Sequence, residues 1–130
     1  MTKTPQIDAL EGFAPLGIDE TKAKVLKYTQ DLCVCLKEHY HHMYPDSSMD
    51  KEYIVDSNGR RYYKILMVDK HSWGDSPSVH AFIEKKTGNV YKAASWKAPA
   101  KHIRYNLLNE TSRMMCYNRA DWSGGYLYMR

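Results

Sequence analysis

The dipeptide Asn58-Gly59 lies between two runs rich in β-branched and aromatic residues, Tyr53-Ile54-Val55 and Tyr62-Tyr63-Lys64-Ile65-Leu66-Met67-Val68. Asn-Gly is the strongest short hairpin signal, because both central positions of a two-residue turn need positive φ and these residues adopt it readily. The spacing predicts an antiparallel hairpin and commits the middle of the chain to sheet. Upstream, Val25, Thr29, Leu32, Leu36, Tyr40 and Met43 recur at intervals of three and four residues, the period of one buried helix face. A long amphipathic helix is expected from a cap at Asp19, with Glu20 in its first turn, to about Tyr44. Pro45 and Asp46-Ser47-Ser48 end it. Lys24, Lys27, Asp31, Glu38 and His41 mark its solvated face.

After the hairpin, a loop is expected over Asp69 to Pro77, containing Trp73-Gly74-Asp75, then a strand at Val79–Glu84, a turn at Lys86-Thr87-Gly88-Asn89 and a short strand at Val90–Lys92. Ser95 can cap a second helix, with Pro99 in the first turn, where an N–H has no intrahelical partner to lose. Ala100, Ile103 and Leu107 would face inward, while Lys97, Lys101 and Arg104 would form a basic stripe. Met114, Cys116 and Tyr126-Leu127-Tyr128 read as short strands separated by Trp122-Ser123-Gly124-Gly125. The fold class is therefore α+β: a long N-terminal helix packed on an antiparallel sheet of four to five strands, plus a second shorter helix. A chain of 130 residues supports one core. Residues 1–18, interrupted by Pro5, Gly12, Pro15 and Gly17, read as an N-terminal arm, and residues 19–130 as a single domain.

Composition narrows the function classes. No apolar run approaches the ~20 residues of a membrane helix. The N-terminus lacks the basic-then-apolar order of a secretory signal, so a cytoplasmic product with unpaired thiols is expected. Cys33 and Cys35 are one residue apart, which is not the spacing of a zinc knuckle or a redox pair, and His39 and His42 share a helix face with no ligand set to complete a site. No metal and no cofactor are expected. The formal charge of +4 is asymmetric: residues 1–84 carry ten Lys/Arg against thirteen Asp/Glu, hence −3, and residues 85–130 carry nine against two, hence +7. A field of that kind favours anionic partners.

Trp96 beside Lys92, Lys97, Lys101 and Arg104 suits a base-plus-phosphate ligand, because indole stacks on a base while cations and the N–H groups of a helix start at Ser95 meet phosphate. Tyr91 offers a second stacking surface. Trp122 and Tyr126, in a tail that also holds Arg119, Tyr128 and Arg130, could close the pocket or form a subunit interface. Trp96 could equally be a core residue and the basic stripe a solvated face. His80 and His102 could serve as acid and base, yet no positioned nucleophile or carboxylate pair accompanies them, so no enzymatic activity is expected.

The stretch from Val79 to Leu108, above all KKTGNVYKAASWKAPAKHIRYNLL, resembles a block shared by many small proteins of tailed bacteriophages, most of them uncharacterised. Arg61-Tyr62-Tyr63-Lys64-Ile65 and the ending from Trp122 to Tyr128 also resemble that family's pattern, whereas residues 1–50 carry none of it. The resemblance implies a phage product, located in the host cytoplasm, and no particular reaction. Small phage proteins without catalytic motifs include sponges that sequester cyclic nucleotide signals of host defence, anti-CBASS proteins among them, so by analogy a homo-oligomeric sponge for a small cyclic nucleotide is expected. An RNA- or DNA-binding module is the alternative, because the element order resembles the double-stranded RNA-binding fold, although WKAPAK stands where that fold starts its helix with paired lysines. The third class is a phage accessory protein that binds a host protein through the aromatic tail.

Overall fold

The computed structural model describes residues 20–128. The expected arm, the Asp19 cap and Arg130 lie outside the described residues. Helix α1 (Glu20–Met43) is followed by five strands, β1 (Asp50–Asp56), β2 (Tyr62–His71), β3 (Gly74–Glu84), β4 (Asn89–Lys92) and β5 (Tyr105–Asn106). Helix α2 (Glu110–Arg119) and a single 3-10 turn (Gly125–Leu127) complete the fold. The strands form one antiparallel sheet in sequential order, β1-β2-β3-β4-β5. The fold is α+β, with the long helix, a five-stranded sheet and a second, shorter helix.

Helix α1 buries Val25, Thr29, Leu32, Cys33, Leu36 and Tyr40 on one side, as the periodicity requires. Thr29 satisfies its hydroxyl on the Val25 carbonyl at 2.7 Å, which lets a polar side chain sit at a fully buried position. Met43, expected on the same face, is exposed, because the chain leaves the helix at that turn. The stripe packs on Tyr53, Tyr63, Ile65, Ala81, Ile83 and Val90 from the sheet, and Tyr105, Leu107, Cys116 and Leu127 extend the same core. Each fully buried aliphatic or aromatic side chain in it contributes roughly 1.5–3 kcal/mol.

The first hairpin forms as expected, but its connection is not a tight Asn-Gly turn. Neither Asn58 nor Gly59 has positive φ. Residues 57–61 instead make a wider loop in which the Asp56 carboxylate accepts from Asn58 N–H, and Lys85 donates to the Ser57 and Gly59 carbonyls. The next connection is shorter than the sequence implied: β2 and β3 run on through the expected loop until His71 pairs with Gly74, leaving only Ser72 and Trp73 at the tip. A β-bulge breaks the register, with Ile65 opposite Ala81 and Leu66 opposite Val79, so that His80 is the extra residue in β3. Gly88 adopts φ +77° between β3 and β4, where an added Cβ would stand 3.0 Å from the Leu108 side chain and 3.1 Å from its nitrogen.

The helix expected from Ser95 is absent. After β4 the chain makes an irregular arm over residues 93–104 that returns antiparallel along the same strand. Ala93 bridges Pro99, Ala100 N–H donates to the Lys92 carbonyl and Arg104 N–H to the Val90 carbonyl. Those donors are used across to β4, so the local helical pattern of Ser95 to Leu107 loses to long-range pairing. The second helix lies later, over the segment read as strands at Met114 and Cys116. Asn109 caps it by accepting from Ser112 N–H at 2.8 Å, and Cys116 faces the core. Tyr126 and Leu127 belong to the 3-10 turn and not to a strand.

The Arg104 guanidinium holds this arrangement. It donates to the Leu127 carbonyl at 2.6 Å, to the His102 carbonyl at 2.5 Å and to the Lys101 carbonyl, tying the arm to the C-terminal turn. His102 has φ +74°, a conformation that non-glycine residues adopt only when their surroundings enforce it. Lysine cannot reproduce a planar fork on several carbonyls. Arg104→Lys is therefore expected to lose about 2 kcal/mol of stability in chemical denaturation. An unchanged denaturation midpoint would contradict the role assigned to Arg104.

Candidate functional site

The nine residues expected to bind ligand are divided by the sheet. Tyr91 and the arm residues Ser95, Trp96, Lys97 and Lys101 are displayed on or beside its outer face, opposite α1. Lys92, Arg104, Trp122 and Tyr126 belong to the inner side, around the C-terminal turn.

On the outer face, Lys64 pairs with Phe82, and Phe82 with Tyr91, across three strands. Tyr62 meets both rings edge-on, at 5.6 Å from Phe82 and 6.1 Å from Tyr91. The arm brings Trp96 over this row: the Lys64 ammonium lies 5.2 Å from the Trp96 ring and 5.6 Å from the Phe82 ring. Phe82 is only 1% exposed, whereas Trp96 is 47% exposed. One aromatic ring is thus the base of the cluster, and Trp96, Tyr62 and Tyr91 surround it with accessible surface. The Ser95 hydroxyl accepts from Lys97 N–H at 3.3 Å and shapes the arm rather than a helix cap. Lys97 and Lys101 are exposed and form no ion pair among the described residues. Arg61 lies 5.2 Å from the Tyr62 ring, with its charge engaged by Glu84 at 2.8 Å. Thr87 and Arg61 hold the Glu84 carboxyl below its ordinary pKa.

Residues 85–109 contain Lys85, Lys86, Lys92, Lys97, Lys101 and Arg104, six cations, and no Asp or Glu. Of these, Lys97, Lys101 and Arg104 belong to the arm, which carries no acid and lies against exposed aromatic rings.

The inner side is built differently. Trp122 packs edge-on against Tyr40 and Tyr44, its carbonyl accepts from the Tyr53 hydroxyl, and its N–H donates to His39 Nδ1. Lys51, buried and ion-paired to Asp69, lies 5.3 Å from both the Tyr40 and Trp122 rings. Trp122 is thus a packing residue that joins the tail to α1, and it also lines a cleft beside the C-terminal turn rather than closing a pocket with Trp96. Arg104 commits three of its N–H donors to carbonyls. Lys92 places its ammonium 4.8 Å from the Tyr128 ring.

Tyr126 turns inward and shares a 2.8 Å hydrogen bond with His80 Nε2. His80 is enclosed between Tyr53 and Tyr126, each with its ring centroid at 5.6 Å. Burial pushes its imidazole pKa down from 6.5 to about 4, against the smaller upward pull of Asp121. Burial likewise raises the Tyr126 phenol well above its ordinary value. Asp121 orders the turn: burial would raise its carboxyl, but the Ser123 hydroxyl and the N–H groups of Tyr126, Gly125 and Ser123 hold it lower. His102, the other histidine singled out as an acid or base, is exposed on the arm.

Two clefts flank this turn. The larger, about 870 Å³, is lined by Arg104, Tyr105, Arg119, Asp121, Tyr126 and Tyr128 among others. The smaller, about 440 Å³, includes His80, Lys92, Trp122 and Tyr128. Among the described residues no three His, Cys, Asp or Glu side chains gather as a metal site, and no helix is long and apolar enough to cross a membrane. Cys33 and Cys116 are buried free thiols whose pKa values burial raises to about 12.

Sequence reasoning placed neither Tyr62, Lys64 nor Tyr105 at a site, and it named Arg119 as part of the aromatic tail without a role of its own. The first two are strand residues whose role appears only when the arm folds over them, and the other two sit on elements read differently. Alternation along β2 does place Tyr62 and Lys64 on one face, which was the signal available.

Residues 16–129 match the model of a family of unknown function (DUF7717), and the chain belongs to that family. No curated protein and no solved structure matches the chain.

His80 generates a test of the inner side. The folded chain resists protonation down to about pH 4, whereas the unfolded chain takes up the proton near 6.5. The stabilisation is fully present above pH 6.5 and is lost as pH falls toward 4, by about 3 kcal/mol at the limit. Imidazole resonances of His80 should show the neutral form at pH 5, and His80→Asn should flatten the loss of stability between pH 6.5 and 4.5. Titration of His80 near 6.5 would contradict the enclosure described here.

Proposed function

From a family membership that assigns no activity, we propose that this protein is a non-catalytic binding protein for phosphorylated bases, and that the outer sheet face receives them as part of a single-stranded nucleic acid. The observation that carries the reading is the half-exposed Trp96, its ring 5.2 Å from the Lys64 ammonium, on an arm that carries cations and no acid. Trp96, Tyr62 and Tyr91 supply faces on which bases can stack, while Lys64, Lys97 and Lys101 supply the charge a phosphate backbone requires. An open aromatic and cationic surface favours a strand that continues across it, because a lone nucleotide there would exclude little water.

The second reading retains a small cyclic nucleotide as the sequestered ligand and moves it to the larger cleft. Its volume of about 870 Å³ suits a nucleotide-sized molecule, and Arg119 with Tyr105, Tyr126 and Tyr128 supplies a cation and rings. Phage origin, a place in the host cytoplasm and self-association belong to the same proposal, supported by the resemblance of residues 79–108 and by exposed aromatic side chains such as Trp73 and Trp96.

Fluorescence anisotropy with a labelled single-stranded oligonucleotide tests the first reading. Trp96→Ala should weaken binding about fivefold or more, since stacking on one aromatic ring is worth roughly 1–3 kcal/mol. Three phosphate contacts predict a slope of log affinity against log salt near −2, from about 0.7 per contact on a single strand. Lys97→Glu should flatten that slope. Affinity unchanged by Trp96→Ala would overturn the reading. Binding of a cyclic dinucleotide that is lost in Arg119→Glu and kept in Trp96→Ala would establish the second.

A further inference from the structure

The smaller cleft contains a polar group whose bonding is incomplete. His80 Nε2 bonds the Tyr126 hydroxyl at 2.8 Å. Its other edge, Cε1 and Nδ1, faces Gly124, where an added Cβ would stand 3.6 and 3.8 Å away, and Nδ1 makes no hydrogen bond among the described residues. His80 and Gly124 both line the cleft. Gly124 has φ +86°, a conformation that favours glycine, and any side chain there would lie against this edge of the imidazole.

The 2.8 Å bond fits either imidazole tautomer, and each leaves one hydrogen without an acceptor; an anion in the cleft selects the one in which Tyr126 donates to Nε2 and Nδ1 carries the proton. In that tautomer the cleft receives an N–H donor from His80. Lys92 lines the same cleft, forms no ion pair among the described residues and lies over the Tyr128 ring at 4.8 Å. The Ser78 and Ser123 hydroxyls in its lining already donate to the Met67 carbonyl and the Asp121 carboxylate, while Trp122 and Tyr128 add aromatic walls. Asp121, the acid nearest in influence on His80, has its carboxylate occupied by Ser123, Gly125 and Tyr126.

We propose that this cleft is a binding site for a small oxyanion carried on an apolar body, a carboxylate or a phosphomonoester, with the anion between Lys92 and His80 Nδ1–H and the body against Trp122 and Tyr128. A volume of about 440 Å³ admits one aromatic ring and its headgroup. The site is on the opposite side of the sheet from Trp96, so it stands or falls independently of the outer face.

The test follows His80 and backbone resonances of the full chain during titration with benzoate, phenyl phosphate and the neutral isostere benzamide. Saturable shifts at His80, Lys92 and Ser123 with benzoate, with phenyl phosphate or with both support the site and identify its headgroup. Lys92→Met should weaken that binding at least tenfold, and Trp96→Ala should leave it unchanged. The wild-type titration reports on the site directly, whether or not the Lys92 variant folds. Shifts of equal size with benzamide, or none at His80 with either anion, would overturn it.

Discussion

The Arg104 guanidinium is the contact on which both faces of the molecule depend. By donating to carbonyls of Lys101, His102 and Leu127, it fixes the end of the arm to the C-terminal turn and holds His102 in a left-handed conformation. The beginning of the arm is fixed separately by pairing along β4. Between these anchors the chain must cross the outer face, which brings Trp96 to the Lys64 ammonium, itself beside Phe82. The same residue sets the position of Leu127, and so of the turn that brings Tyr126 to His80.

The sheet separates two chemistries. The outer face is an open row of aromatic rings with lysines above it, whose interactions with anions weaken with salt. The inner side is a set of enclosed polar groups, Tyr126 with His80 and the Asp121 carboxylate with its ring of N–H donors. Enclosure there keeps the imidazole neutral and directs it toward the smaller cleft. The bulge in β3 makes this arrangement available, since an uninterrupted register would alternate His80 to the other face of the strand.

The fold class was legible because its signals are periodic and local. The stripe from Val25 to Tyr40 needs only helix geometry, and the strand runs around Asn58-Gly59 need only a reversal, whatever the turn conformation. The Ser95 helix was misread because Ser95, Pro99 and the spacing of Ala100, Ile103 and Leu107 satisfy every local rule. The deciding hydrogen bonds, Ala100 to Lys92 and Arg104 to Val90, are tertiary. Helix α2 escaped notice because it buries one residue fully, Cys116, and so carries little apolar period; Asn109 followed by Glu110 was its local sign. Of the candidate site, Trp96 and its neighbouring lysines were legible from composition alone. The separation of Arg104, Trp122 and Tyr126 from them was not, because it depends on which face of a sheet each segment crosses.

In the function proposed above, the outer face, and not the clefts around the tail, receives a nucleic-acid strand. The most direct measurement is a map of amide and side-chain resonances during titration with a short single-stranded oligonucleotide. The account predicts perturbations centred on Tyr62, Lys64, Tyr91 and the arm from Ala94 to Lys101, with Tyr105, Arg119 and Tyr126 unaffected. Perturbations centred on those last three residues, or none at all, would contradict it.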